Sequence, residues 1–69
     1  MIEKGIYRHF KGNLYEVLFT ALDCDDKSEV VVYKALYGEN QIWVRKADEF
    51  SGTVTREGKT FKRFEKVEL

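Results

Sequence analysis

Residues 29–36 read EVVVYKAL. Three successive valines and a tyrosine restrict χ1 too strongly to favour a helix, and the run is far shorter than the roughly 20 apolar residues that cross a bilayer. The segment reads as the most buried strand of the fold, and the rest of the chain must supply its cover.

Flanking strands are legible on both sides. Residues 6–10 and 14–22 surround Lys11-Gly12-Asn13, a turn in which Gly12 supplies the positive φ. Strict alternation along 14–22 places Tyr15, Val17, Phe19 and Ala21 on one face, opposite Leu14, Leu18 and Leu22 with Glu16 and Thr20. Both faces are substantially apolar, as a curved central strand requires. Asp23-Cys24-Asp25-Asp26-Lys27-Ser28 then breaks the pattern as a short acidic turn. Beyond 29–36, Tyr37-Gly38-Glu39-Asn40 turns the chain into 41–45, where Ile42 and Val44 face one way and Trp43 and Arg45 the other. On this reading Leu36, Ile42 and Val44 belong to the core.

Lys46 to Phe50 contains good helix formers but covers little more than one turn, so a short α or 3₁₀ turn is expected, with Phe50 plugging one end of the core. Thr53-Val54-Thr55 and residues 60–67 flank Arg56-Glu57-Gly58-Lys59 as a last hairpin, with Phe61 and Val67 on one face and Phe64 on the other. The expected fold is mainly β, a small antiparallel SH3-like barrel or strongly bent sheet of five to six strands with one short helical turn, forming a single domain over 1–69. A ubiquitin-like fold needs a helix of about ten residues, and only 46–50 could begin one.

Composition narrows the function classes. A chain of 69 residues buries only about 60% of its unfolded surface. With one Cys and one His it has neither an internal disulfide nor a metal cluster, so apolar packing must hold it together. Its 12 basic and 12 acidic side chains cancel, which does not favour a protein that grips phosphate backbones. The opening MIEKGIYRHF carries charges where a signal peptide needs an apolar stretch, so a cytoplasmic protein away from membranes is expected.

No catalytic, cofactor or metal motif emerges. Cys24 and His9 are the one thiol and imidazole, but they lie in different segments, and the acidic surroundings of Cys24 oppose thiolate formation. Asp23, Asp25, Asp26 and Glu29 could gather round a hard cation. Counted from Asp23, however, an EF-hand loop would need Gly and Glu where this chain has Ser28 and Lys34. The glycines match no phosphate-binding pattern and read as turn punctuation. Arg56, Lys59, Lys62, Arg63 and Lys66 with Phe61 and Phe64 resemble a single-strand nucleic-acid platform, although Glu57, Glu65 and Glu68 interrupt the charge.

The stretch YKALYGENQIWVR remains. Parity puts Tyr33 and Tyr37 on one face, and Trp43 with Arg45 can lie across from them in a hairpin. Aromatics and arginine make binding hot spots, and they are equally what a very small core uses to fill and seal itself. Trp43 decides between the two.

GIYRHFKGNLYEVL at 5–18, VVYKALYG at 31–38, IWVR at 42–45 followed by Phe50, and the late Gly58 and Arg63-Phe64 together resemble the bacterial domain-of-unknown-function family 1653. The resemblance covers nearly the whole chain and implies a compact β-rich module of unknown function. It departs from the family pattern at Lys46, where the family has Pro, and in the Asp23–Asp26 loop, so no role is carried over from a loop histidine. The expected function is a non-enzymatic binding or accessory module that uses Arg8, His9, Tyr33, Tyr37, Trp43 and Arg45 to engage a peptide, a protein partner or a small anionic ligand. The alternatives are a self-associating domain, monomer or weak homodimer, paired through Val30–Val32, and a single-strand nucleic-acid or nucleotide binder.

Overall fold

The computed structural model describes residues 2–68. Among these, seven strands flank one helical turn: β1 (Gly5–His9), β2 (Leu14–Leu22), β3 (Glu29–Ala35), β4 (Ile42–Lys46), α1 (Ala47–Phe50), β5 (Thr53–Arg56), β6 (Lys59–Lys62) and β7 (Phe64–Val67). Five strands form an antiparallel sheet in the order β4-β3-β2-β1-β7, and β5 pairs with β6 in a separate hairpin. The fold is therefore mainly β with one short helical turn. Strands β4 and β7 remain as edges, so the bent-sheet alternative describes it better than a barrel closed by pairing.

Strand β3 is the spine, as its valines require: Val30, Val31, Tyr33 and Ala35 are all buried. It is bonded on both sides, to β2 and to β4. The expected self-association through Val30–Val32 is thus closed off, because those backbone groups are already paired.

Two departures from strict alternation shape the rest. In β2, Val17 lies opposite Tyr33 but Phe19 lies opposite Val32, leaving Leu18 as the extra residue of a β-bulge. A bulge bends the strand and inverts the parity beyond it. Thr20 now lies across from the core residue Val31, and Phe19 is turned to the outer face, 50% exposed. The expected grouping of Phe19 and Ala21 with Tyr15 and Val17 fails for that reason.

The second departure is at Arg63, which splits the expected strand 60–67 in two. Its amide donates to the Gly52 carbonyl at 3.0 Å, and its carbonyl accepts the Phe10 amide at 3.0 Å. The chain thereby leaves its pairing with β5 and joins β1, and Phe64 turns inward, opposite His9.

The core is an aromatic cluster. Phe50 and Phe64 stack with centroids 4.1 Å apart, and the edges of Tyr7 and Tyr33 meet Phe50 at 5.3 and 5.4 Å. Val17 and Val31 complete it. A single turn such as α1 has no stability of its own; Phe50, only 1% exposed, anchors it. Leu36, Ile42 and Val44 are not in this core. Trp43 lies opposite Tyr33 and Arg45 opposite Val31, so these two residues take the core-side face of β4, and Ile42 and Val44 face outward, 55% and 63% exposed.

The acidic turn is tied to β4. The Lys46 ammonium reaches the carboxylates of Asp23 at 3.3 Å and Asp26 at 3.1 Å and donates to the Ser28 hydroxyl at 2.6 Å. The hydroxyl and amide of Ser28, followed by Lys46, hold the Asp26 carboxyl down to about 2. Because this pKa is depressed in the folded chain, the clamp is intact above the ordinary carboxylate range and is lost as pH falls toward about 2. Protection of the Ser28 amide, which donates to Asp26, is expected to collapse over that interval in amide-exchange measurements. Persistence of that protection at still lower pH would count against the clamp.

Candidate functional site

The turn at 37–40 folds the chain back with positive φ at Gly38 (58°) and Asn40 (55°). It seats Trp43 across from Tyr33 and brings Arg45 beside the same ring. The Arg45 Nε donates to the Tyr33 hydroxyl at 3.3 Å. Tyr33 is buried, whereas Trp43 and Tyr37 are 51% and 46% exposed. Trp43 therefore belongs to the surface more than to the core.

Tyr15 joins this group from β2, a residue the sequence reading did not select. Its hydroxyl lies 2.7 Å from that of Tyr37, and its ring meets Tyr33, Tyr37 and Phe64 edge-on at 5.5, 5.6 and 5.5 Å. The signal was present in YKALYG: Ala35 stands between Tyr33 and Tyr37 on one face, and a small residue between two rings leaves room for a third from the neighbouring strand. Tyr15 is paired directly with Ala35. Tyr15, Tyr33, Tyr37, Trp43 and Arg45 line a shallow, open pocket of about 230 Å³.

Its electrostatics are one-sided. Burial first, then the hydrogen bond with Tyr37, pushes the Tyr15 hydroxyl up to about 12, so it stays protonated and can donate. Ion pairs among the described residues engage Lys34, Lys46 and Lys66; none engages Arg45. His9 packs against Phe64 at 4.9 Å and faces Tyr15 at 6.1 Å. Its pKa is lowered by burial, then by the positive charges of Lys11, Arg45 and Arg63. The Lys11 amide donates to His9 Nδ1 at 3.2 Å, an arrangement that requires the neutral ring with its proton on Nε2.

A histidine whose pKa falls on folding adds stability that is complete above its unfolded value near 6.5 and is lost as pH drops through the lower folded value. His9, the single histidine of the chain, is expected to titrate below 6.5 when followed by the NMR shift of its ring protons. Titration at or above that value would contradict the packing and field described here.

Arg8 lies apart from the pocket. It is exposed on the outer face of β1 and lines a separate cleft of about 370 Å³ with His9, Phe10, Phe61 and Lys62. Of the six residues selected from sequence, Tyr33, Tyr37, Trp43 and Arg45 are brought together. His9 stands at the side of Tyr15, and Arg8 points elsewhere because neighbours in a strand face opposite ways. Phe64 is core, and the proposed aromatic platform of the last strands loses it. No hydrogen bond joins Cys24 to His9 among the described residues. Asp23, Cys24 and Asp25 offer donor atoms within 4.8 Å of one another, but Lys46 already pairs with Asp23, and no metal site is assigned there.

The comparisons with known proteins match this architecture. The family model described as "Protein of unknown function (DUF1653)" matches residues 5–66. The chain belongs to the DUF1653 family. A crystal structure of a DUF1653 protein from Bordetella bronchiseptica superposes with a TM-score of 0.86 at 31% identity, covering 96% of this chain and 87% of that one. No curated protein matches. Membership in DUF1653 accounts for the shared β-rich fold and leaves the chemistry to be read from the pocket. Among the described residues of this DUF1653 chain no helix is long and apolar enough to cross a membrane.

Proposed function

We propose that the chain is a recognition module, without a catalytic centre of its own, that takes an anionic group into the Tyr15–Tyr33–Tyr37–Trp43–Arg45 pocket. The group is a carboxylate or phosphate carried by a peptide, a protein partner or a small ligand. One observation carries the reading: Arg45 is positioned by Tyr33 at the wall of an aromatic pocket without a carboxylate partner among the described residues. A guanidinium offers several N–H donors in a planar fork, and one donor spent on Tyr33 leaves the others for oxyanions. The tyrosine hydroxyls and the Trp43 indole add neutral donors around it, and rigid aromatic walls limit the ordering entropy of binding.

The depressed pKa of His9 supports the same reading, since the positive field that opposes its protonation attracts an anion. The test is a titration of the full chain with N-acetyl-glutamyl peptide, inorganic phosphate and a mononucleotide, followed by backbone amide shifts and by fluorescence of the single tryptophan. Shifts concentrated at Tyr15, Tyr37, Trp43 and Arg45, with a rise in the His9 pKa on binding, are expected. Shifts confined to the Arg8–Phe61 cleft, or none with any of the three, would overturn the assignment.

A further inference from the structure

We infer that the free edge of β4 is a self-complementary interface, to which a second copy of this chain adds its own β4 antiparallel about a two-fold axis at Val44. The Ala35 amide donates to the Gln41 carbonyl at 2.8 Å. Bonded and non-bonded pairs alternate along an antiparallel ladder. Trp43 and Arg45 therefore exchange their hydrogen bonds with β3, and the backbone groups of Ile42 and Val44 point to the open edge.

The first three residues of this edge lack the usual protection, and its charges, Arg45 and Lys46, stand at one end. Edge strands are commonly blunted by proline, bulges or charged side chains. The chain has no proline, the β3–β4 register is unbroken, and Ile42, Trp43 and Val44 are each more than half exposed. The opposite edge, β7, carries Glu65 and Lys66 exposed in its middle.

The register at Val44 is complementary to itself. It opposes Val44 to Val44, Trp43 to Arg45 of the second copy, and Ile42 to the aliphatic stem of Lys46. No like charges face each other, whereas an axis at Lys46 would oppose two ammonium groups. On the outer face Phe19, Val32 and Val44 lie directly opposite one another in succession. Pairing at Val44 continues this apolar row into Val44, Val32 and Phe19 of the second copy. On the inner face the Trp43 ring of each copy meets the Arg45 guanidinium of the other, a favourable cation–π arrangement.

This chain exposes 5155 Å², against roughly 4,500 Å² for a compact monomer of 8.1 kDa. The pairing does not depend on what the pocket binds, although it would give each pocket a wall from the second copy.

Sedimentation equilibrium of the full chain over rising concentration tests it. Apparent mass should climb from 8.1 kDa to twice that value. Over the same range the Ile42 and Val44 amides should gain exchange protection, with those of Trp43 and Arg45 unchanged. Val44→Lys, a substitution that edge strands tolerate, should keep the parent circular dichroism and abolish the doubling. A chain that stays monomeric at every concentration overturns the inference. So does a dimer that survives Val44→Lys, or one in which the Val44 amide gains no protection.

Discussion

Phe50→Ala is expected to leave most of the chain unfolded or to lower its melting midpoint by more than roughly 12 °C. Phe50 is 1% exposed, stacks on Phe64 and receives the edges of Tyr7 and Tyr33. Truncating a buried phenylalanine costs about 3–5 kcal/mol, because the transfer term is lost and the cavity collapses only in part. At about 0.05–0.15 kcal/mol per residue a domain of this size holds only roughly 3–10 kcal/mol in total. The loss falls on more than the core, since α1 depends on Phe50 to remain docked. Urea denaturation of Phe50→Ala beside Phe50→Leu provides the measurement, with the leucine variant expected to retain cooperative folding. A cooperative alanine variant melting within a few degrees of the parent would show that the aromatic stack contributes little.

Arg45→Gln is expected to weaken anion binding by roughly tenfold to a hundredfold, the range for hydrogen bonds to a charged group. The same substitution should raise the His9 pKa toward its ordinary value, since Arg45 is among the charges that lower it. Folding should change little, because Arg45 is only partly buried and its one side-chain hydrogen bond among the described residues is to Tyr33. The two readouts separate the possibilities. If the His9 pKa rises and affinity for the three probes is unchanged, Arg45 is where the geometry places it but the anion binds elsewhere.

The placement of the candidate residues was legible where local geometry decides it. Tyr33 and Tyr37 both meet Tyr15, as their spacing suggests even though β3 ends at Ala35, and the turn at Gly38 returns Trp43 opposite Tyr33. Arg8 was grouped with the hairpin residues, but it lines a separate cleft with His9. Tyr15 escaped because its role depends on Ala35, a residue twenty positions away in sequence that is directly opposite in the sheet.

Ile42 and Val44 illustrate the same limit in the core. Their apolar character suggests burial, but parity says only that they oppose Trp43 and Arg45. Which pair faces inward depends on α1 and Phe50 covering one side of the sheet, and no residue of β4 encodes that choice. The outcome is the reverse of what hydrophobicity suggests, and it leaves the exposed edge from which the self-pairing is inferred.

By itself, the sequence determined that this protein is mainly β. The β-branched run at 30–32 excludes a helix, Gly12, Gly38 and Gly58 stand at the turns, and only 46–50 could form a helical turn. It also determined that stability must come from packing, since no disulfide or metal cluster is available. Tertiary structure alone decided the bulge at Leu18, the corner at Arg63, the inward face of β4 and the entry of Tyr15 into the pocket. Each of these depends on which strand lies alongside which, and pairing between segments distant in sequence is set by the burial of the whole core rather than by any local pattern.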